Sequence, residues 1–255
     1  MTDWNPGLYL KFDDQRTRPA RDLLARVPHP GPRSVVDLGC GPGNSTELLH
    51  ERWPAARIVG IDNSPGMLEQ ARRAHPDWLW EEHDVSAWRP AERYDVVYSN
   101  AALQWVGDHA GLFPRLLDGV APGGFLAVQI PRNLDAPSHA LMRDTAEEGA
   151  WREKLRGARE TIAVAEPAFY YDLLAPKAAR IDLWETEYAQ IMDSADAVLE
   201  WVRGTGLRPF VARLDEAERA EFERRYLEKL RAAYATRADG RVLFPFRRLF
   251  IVAQA

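Results

Sequence analysis

The chain has 255 residues, 46% of them hydrophobic, which is enough for a sizeable core and fits one domain with an elaboration. A formal net charge of −5 argues against a general nucleic-acid surface, and a single cysteine excludes an intrachain disulfide and fits a reducing cytoplasm. The N-terminus lacks the pattern of a signal peptide, and no apolar run has the length of a membrane span, so we expect a cytoplasmic protein without a membrane partner.

Strand and helix patterns alternate along the first half of the chain. Helices are predicted at 14–27, 44–53, 65–75 and 108–119, and strands at 35–38, 57–62, 78–83, 94–99 and 125–130. Ser64 and Pro65 give one helix its N-cap and first residue, and Asn44 or Ser45 is expected near the cap of another. Because such strands join by right-handed crossovers, we expect an α/β fold with a doubly wound, mostly parallel sheet.

The pattern changes after Pro131. Residues 133–176 are helical in character, 180–191 alternate as a strand does, 194–238 are helical and charged with a break at 204–209, and 249–253 form a final strand. We therefore predict an N-terminal segment (1–30), an α/β core (31–132), a helical cap insertion (133–178) and the remainder of the sheet (179–255) with a helical insertion at 194–240. These insertions are long enough to cover the carboxyl edge of the sheet, where ligands bind in such folds.

Residues 35–44, Val-Val-Asp-Leu-Gly-Cys-Gly-Pro-Gly-Asn, are the most informative part of the chain. Two β-branched residues lead into Asp37, and Gly39, Gly41 and Gly43 then allow a tight turn and a close approach of backbone to a ligand. The spacing G-x-G-x-G is not that of a dinucleotide-binding turn, and no Lys-Ser/Thr follows as in a P-loop. A carboxylate before the turn suits a cationic ligand better than a pyrophosphate.

This turn resembles the first motif of the class I S-adenosylmethionine (SAM) dependent methyltransferases, whose sheet has seven strands with the last one antiparallel. The resemblance implies SAM as the cofactor and S-adenosylhomocysteine as its product. It also implies that Asp62 binds the ribose, while Asp84 and Val85 contact the adenine. Further cofactor contacts are expected from the turn, the following helices, the fourth strand and an aromatic N-terminal lid, namely from Asp37, Gly39, Gly41, Gly43, Asn44, Asn63, Met67, Asn100, Leu103, Trp4 and Tyr9.

The fourth predicted strand ends in Ser-Asn-Ala-Ala-Leu-Gln-Trp at residues 99–105. By the same resemblance, Gln104 and Trp105 face the transferring methyl group and position the reactants. The segment lacks the Asn/Asp-Pro-Pro-Tyr/Phe tetrad of methyltransferases that modify exocyclic or amide nitrogens, which argues against DNA adenine or glutamine methylation. The six histidines have no metal-ligand spacing, so no metal is expected.

Five segments, DWNPGLYLKF, DLGCGPGNSTELL, SNAALQWVGDH, TGLRPF and RLFIVA, together resemble the trans-aconitate methyltransferase family, least so at residues 147–166. The resemblance implies methylation of one carboxylate of a small polycarboxylate to a monomethyl ester. Such an acceptor is already ionised at pH 7, so it does not need a general base. It needs desolvation, orientation toward the methyl group and hydrogen-bond donors for its other carboxylates. The substrate-binding candidates are Arg132, Arg208, Arg248, Tyr170 and Tyr171.

Three other interpretations stay open on the sequence. The same cofactor would also serve another small acceptor, such as a phenol or an enolised quinone precursor. A nicotinamide oxidoreductase would use a similar sheet, although the glycine spacing and Asp37 stand against it. A non-catalytic SAM-binding module would bind the cofactor without turnover. The oligomeric state is open as well, with a monomer favoured.

Overall fold

The computed structural model describes residues 13–158 and 164–255, so the predicted lid residues Trp4 and Tyr9 lie outside the described part of the chain. The chain divides into two compact units. Residues 14–131, 164–186 and 248–255 form what we call the sheet unit, and residues 132–158 and 187–247 belong to the helical unit. Within the described ranges, no helix combines the length and the apolar character that a membrane crossing requires.

Strands and helices alternate through the first half, as predicted. In chain order the elements up to the fifth strand are α1 (Asp13–Ala25), β1 (Ser34–Leu38), α2 (Asn44–Arg52), β2 (Arg57–Asp62), α3 (Pro65–Ala74), β3 (Leu79–Glu82), β4 (Tyr94–Asn100), a single 3-10 turn (Leu103–Trp105), α4 (His109–Asp118) and β5 (Val120–Pro131). The remaining elements are α5 (Pro137–Ala146), α6 (Arg152–Leu155), α7 (Pro167–Leu174), β6 (Arg180–Met192), α8 (Ala195–Arg203), α9 (Arg208–Val211), α10 (Glu216–Ala233) and β7 (Val242–Gln254).

The seven strands form one sheet in the order β3-β2-β1-β4-β5-β7-β6. The pairs from β3 through β5 are parallel, whereas β7 runs antiparallel to β5. This confirms the predicted doubly wound, mostly parallel sheet with an antiparallel last strand. Val35, Val36 and Leu38 of β1 are fully buried, as expected for a strand that helices cover on both faces.

Helices pack on both faces within the sheet unit. On one face, α4 and α7 meet the strands in a core that contains Phe113 and Tyr170, whose ring centroids are 4.7 Å apart. On the other, the hydroxyl of Tyr98 donates to the carbonyl of Ala20 at 2.8 Å and fixes α1 to β4. Because both faces are covered, the carboxyl ends of the parallel strands are the place for a ligand.

The helical unit has its own core, in which Trp201, Phe222 and Phe244 are among the largest buried side chains. Its longest helix, α10, begins with a capping box in which the side chains of Asp215 and Glu218 each accept from the other's backbone N–H. The predicted break near residues 204–209 falls between α8 and α9. Helix α7 groups with the sheet unit, although its residues were assigned from sequence to the 133–178 insertion.

Two local predictions were wrong. The last strand begins at Val242 rather than Leu249, because Val242, Phe244 and Phe246 are buried in alternation with exposed neighbours. Arg248 consequently lies within the strand rather than before it. The N-cap of α2 is Gly43 in the left-handed conformation, with no side-chain cap, since Asn44 and Ser45 are already the first two helical residues and the Ser45 hydroxyl donates to Asp37.

Replacing Leu126 by alanine tests the centre of the sheet, since this side chain is fully buried in β5. We expect the free energy of unfolding to fall by about 2–5 kcal/mol, because the change loses transfer free energy and leaves a cavity. Leu79→Ala, in edge strand β3 where the side chain is 47% exposed, is the matched control and should cost about 0.5 kcal/mol or less. Urea unfolding followed by circular dichroism measures both, and equal losses would contradict this assignment.

Candidate functional site

Asp37, near the carboxyl end of β1, carries a fully buried carboxylate. The hydroxyls of Ser45 and Thr46, in the first turn of α2, both donate to its Oδ2 at 2.7 Å. Burial outweighs these two bonds and raises the pKa of Asp37 from 3.8 to about 6. Its Oδ1 is buried and has no hydrogen-bond partner among the described residues, so it can accept a bond from a ligand.

The three glycines of the turn have positive φ angles of 74°, 57° and 104° at Gly39, Gly41 and Gly43. A Cβ on Gly39 would lie 2.2 Å from the Cβ of Ala102, and one on Gly43 would lie 2.9 Å from the ring of Trp80. A Cβ on Gly41 would meet no described atom within 4 Å. Only Gly41 therefore presents backbone to open space, and the other two glycines are required by packing inside the protein.

Asp62 ends β2 beside this turn. Its Oδ2 accepts from the N–H of Gly41 at 2.9 Å, and its Oδ1 accepts from the N–H of Ser64 at 2.9 Å. Each carboxylate oxygen retains a further lone pair, so the group can still accept two hydroxyl hydrogens. An acid in this place on a doubly wound sheet is suited to the vicinal hydroxyls of a ribose.

The other cofactor candidates of the sheet unit lie in varied surroundings. Asn44, the first residue of α2, is half-buried, and Asn63 is exposed. Met67 is buried in α3, and its N–H points to Ser64 at the helix cap. After β3, Asp84 is exposed and accepts from a backbone N–H two residues on, while Val85 is buried in the core.

The segment that follows β4 is tightly held. Asn100 ends the strand with a buried Oδ1 that lacks a partner in the described part of the chain, and Ala101 adopts an unusual positive φ of 53°. The amide of Gln104 donates to the carbonyl of Ala101 at 2.6 Å, and its Oε1 is another buried acceptor without a described partner. Leu103 is fully buried and Trp105 is half-buried.

Gln129 and Arg248 form a buried polar pair that the sequence did not reveal as a pair. The Nη1 of Arg248, a residue only 3% exposed, donates to the Oε1 of Gln129 at 3.1 Å. That bond orients the amide so that its Nε2 is the remaining donor, and this atom is buried with no partner among the described residues. A polar residue inside the otherwise apolar run of β5 was the only signal for Gln129 in the sequence.

These polar side chains belong to one face of the sheet. Asn100 pairs with Gln129 across β4 and β5. Arg248 in β7 pairs with Pro131, which is two residues after Gln129 and so on the same face. Asp37 shares this face, since it pairs with Tyr98, two residues before Asn100 in β4. We call Asp37, Asn100, Gln129 and Arg248 the buried polar row. It changes along its length from acceptors on β1 and β4 to donors on β5 and β7.

The remaining substrate candidates are dispersed. Tyr170 is fully buried, and its hydroxyl bonds to His109 and to a backbone N–H within the core, which contradicts the expectation that it binds the substrate. Tyr171 on the same helix is 53% exposed. Arg132 follows β5 and Arg208 opens α9, and both are half-buried residues of the helical unit.

Comparison with known proteins gives consistent results. A family model described as a methyltransferase domain matches residues 35–124. A trans-aconitate 2-methyltransferase of Azoarcus sp. (strain BH72) is 54% identical over 253 residues, which cover 99% of both chains. One of Acidovorax ebreus (strain TPSY) is 51% identical over 255 residues, covering 100% of this chain and 99% of that protein.

Solved structures support the fold alone. The YcgJ protein of Bacillus subtilis superposes with a TM-score of 0.61 at 11% identity, covering 93% of this chain and 97% of that one. The Haemonchus contortus phosphoethanolamine N-methyltransferase 2, in complex with SAM, has a TM-score of 0.56 at 15% identity, covering 92% of this chain and 52% of that one.

The raised pKa of Asp37 predicts how stability without ligands depends on pH. Because its folded-state pKa is about 6 and its ordinary value is 3.8, the proton-linked stability is complete below pH 3.8 and is lost as the pH rises through 6. Asp37→Asn has no proton to lose there. Its stability relative to the original protein should therefore increase by about 2–3 kcal/mol between about pH 4 and about pH 7. Urea unfolding at both pH values tests this, and a constant difference would contradict it.

Proposed function

The chain belongs to the trans-aconitate 2-methyltransferase family, and from this premise we propose that it transfers the methyl group of SAM to a carboxylate of trans-aconitate. The products are a monomethyl ester and S-adenosylhomocysteine. The observation that carries this acceptor class is the buried Arg248–Gln129 pair, because two buried donors on the face of the sheet suit an anion. We further propose that the protein acts as a cytoplasmic monomer and that its partner is this small molecule.

The residues of the turn and of β4 fit SAM. When bound, SAM supplies an electrophilic methyl carbon attached to a sulfonium. The buried oxygens Asp37 Oδ1 and Asn100 Oδ1, which have no partner among the described residues, would accept hydrogen bonds from the ammonium of its methionine part. Asp62 would accept hydrogen bonds from the ribose hydroxyls, and Gly41 leaves room for the ligand beside the backbone. Asp84 and Val85, which follow β3, would contact the adenine.

Arg248 and Gln129 hold the acceptor by carboxylates other than the reacting one. The guanidinium offers several N–H groups in a planar fork that matches a carboxylate, and the amide Nε2 adds a further donor. The two buried donors thus determine a preference for polycarboxylates over phenols, which offer no second anion.

The reaction requires no proton transfer. A carboxylate oxygen of the acceptor forms a bond to the methyl carbon as the carbon–sulfur bond breaks and its electron pair stays on sulfur. Because a negative and a positive charge are both lost, a site that excludes water favours the transition state. Gln104 and Trp105 orient the reactants after the end of β4, and no acid or base is needed since the acceptor is ionised at pH 7.

Methyl transfer from labelled SAM tests this proposal directly. The panel contains trans-aconitate, cis-aconitate, isocitrate and a catechol, and each product is treated with mild base. Label on trans-aconitate that mild base removes is the expected result, because an ester hydrolyses and an aryl ether does not. Label on the catechol alone would keep the cofactor but overturn the carboxylate chemistry. Cofactor binding without turnover on any acid would indicate a non-catalytic module.

Two neighbouring arginines on opposite faces of β7 provide a matched test of acceptor binding. Arg248→Met should raise the KM for trans-aconitate at least about tenfold with little change in the Kd of SAM, because it removes a charge-assisted donor. Arg247→Met, at the exposed neighbour, should leave both constants unchanged. Gln129→Leu, which removes only the amide, should raise the KM by a smaller factor. Steady-state kinetics and calorimetry with SAM give these values, and equal effects at Arg247 and Arg248 would contradict the assignment.

A further inference from the structure

A buried hydrogen-bonded chain connects α7 to the turn after β4. His109, the first residue of α4, contacts the carbonyl oxygen of Leu103 through Nε2 at 2.9 Å and the hydroxyl of Tyr170 through Nδ1 at 2.8 Å. The N–H of Ala165 donates to the same hydroxyl at 3.0 Å. His109 is 5% exposed and Tyr170 is fully buried, so water does not compete for these bonds.

The hydrogen bonds that join Leu103, His109 and Tyr170 can run in only one direction. The carbonyl of Leu103 can only accept, so His109 carries its proton on Nε2. The Nδ1 of the neutral ring then carries no proton and accepts the hydroxyl hydrogen of Tyr170, whose oxygen also accepts from the N–H of Ala165. Desolvation lowers the pKa of His109 and therefore keeps the ring neutral, as this order requires. Tyr170 thus selects the tautomer that holds Leu103.

The turn that receives this bond is short, and the bond from His109 ties its first carbonyl to α4. It consists of three residues, Leu103–Trp105, and its N-cap position supplies no side-chain hydrogen bond. The preceding Ala101 has the positive φ of 53°, a conformation that L-residues adopt at a cost. The Leu103 carbonyl otherwise accepts from the N–H of Val106 at 3.0 Å, within the turn itself.

We propose that His109 and Tyr170 are positioning residues that fix the turn carrying Gln104 and Trp105, and so hold these two side chains in the geometry needed for methyl transfer. The inference rests on the proposed function, because it assumes that this turn faces the reacting groups. Neither residue touches cofactor or acceptor in this account. Their loss should therefore lower kcat more than it changes the KM or the Kd of SAM, because displacement of aligned groups slows the chemical step.

Two isosteric changes at His109 separate positioning from packing. Glutamine places its amide N–H where Nε2 lies and keeps the donor to Leu103, whereas asparagine places its oxygen where Nδ1 lies and keeps only the acceptor for Tyr170. We expect His109→Gln to retain kcat within a few-fold and His109→Asn to lower it about ten- to a hundredfold. Tyr170→Phe should fall between them, because the ring keeps its packing and loses the hydroxyl that selects the tautomer.

Tyr226→Phe is the matched control. It removes a second fully buried tyrosine hydroxyl, which donates to the backbone carbonyl of Ser138 in the helical unit at 2.8 Å. It should cost stability as Tyr170→Phe does and leave kcat unchanged. If His109→Gln and His109→Asn lose kcat equally, or if the Tyr170 and Tyr226 changes affect kcat alike, the positioning role is overturned.

Nitrogen NMR of the protein labelled with ¹⁵N-histidine gives a readout that does not depend on activity. His109 should carry a proton on Nε2 and none on Nδ1, and Tyr170→Phe should increase the population protonated on Nδ1. A proton on Nδ1 in the unaltered protein would overturn the inference. Absence of methyl transfer to trans-aconitate with the Nε2 tautomer intact would instead overturn the proposed function alone.

Discussion

The site is organised around a carboxylate buried inside a parallel sheet. Asp37 is costly to bury, and the hydroxyls of Ser45 and Thr46 offset part of that cost, which ties β1 to the first turn of α2. The glycine turn between these elements is thereby held at both ends. Its Gly41 N–H then reaches Asp62 at the end of β2, so that two carboxylates determine where the backbone comes close to a ligand.

Hydrogen-bond acceptors and donors are separated across the same face of the sheet. Acceptors on β1 and β4 give way to donors on β5 and β7, and each side retains a buried atom without a partner among the described residues. A buried polar atom without a partner is destabilising, which is why we propose that a ligand supplies the missing hydrogen bonds. The order matches a reaction between a cation and an anion, in which both charges are held apart from water until they cancel.

The two faces of the sheet contribute in different ways. The face that carries the buried polar row holds the groups that we propose bind the reactants, whereas the core around Phe113 and Tyr170 packs against the opposite face. Methyl transfer to a carboxylate needs no acid or base, and alignment is therefore what the protein must supply. His109 and Tyr170 are of residue types often assigned to proton transfer, but in our proposal they hold the turn after β4 through neutral hydrogen bonds.

The sequence by itself determined the succession of strands and helices, the doubly wound sheet and the turn that contains Asp37 and Gly41. These features depend on the hydrophobic periodicity and on residues that are neighbours in the chain, and both can be read directly from one sequence. The tertiary structure decided that Tyr170 is internal, that Gly43 accommodates Trp80, and that Gln129 meets Arg248. The pairs His109–Tyr170 and Gln129–Arg248 are 61 and 119 residues apart, and burial and hydrogen-bond partners at such separations arise only when the sheet has assembled.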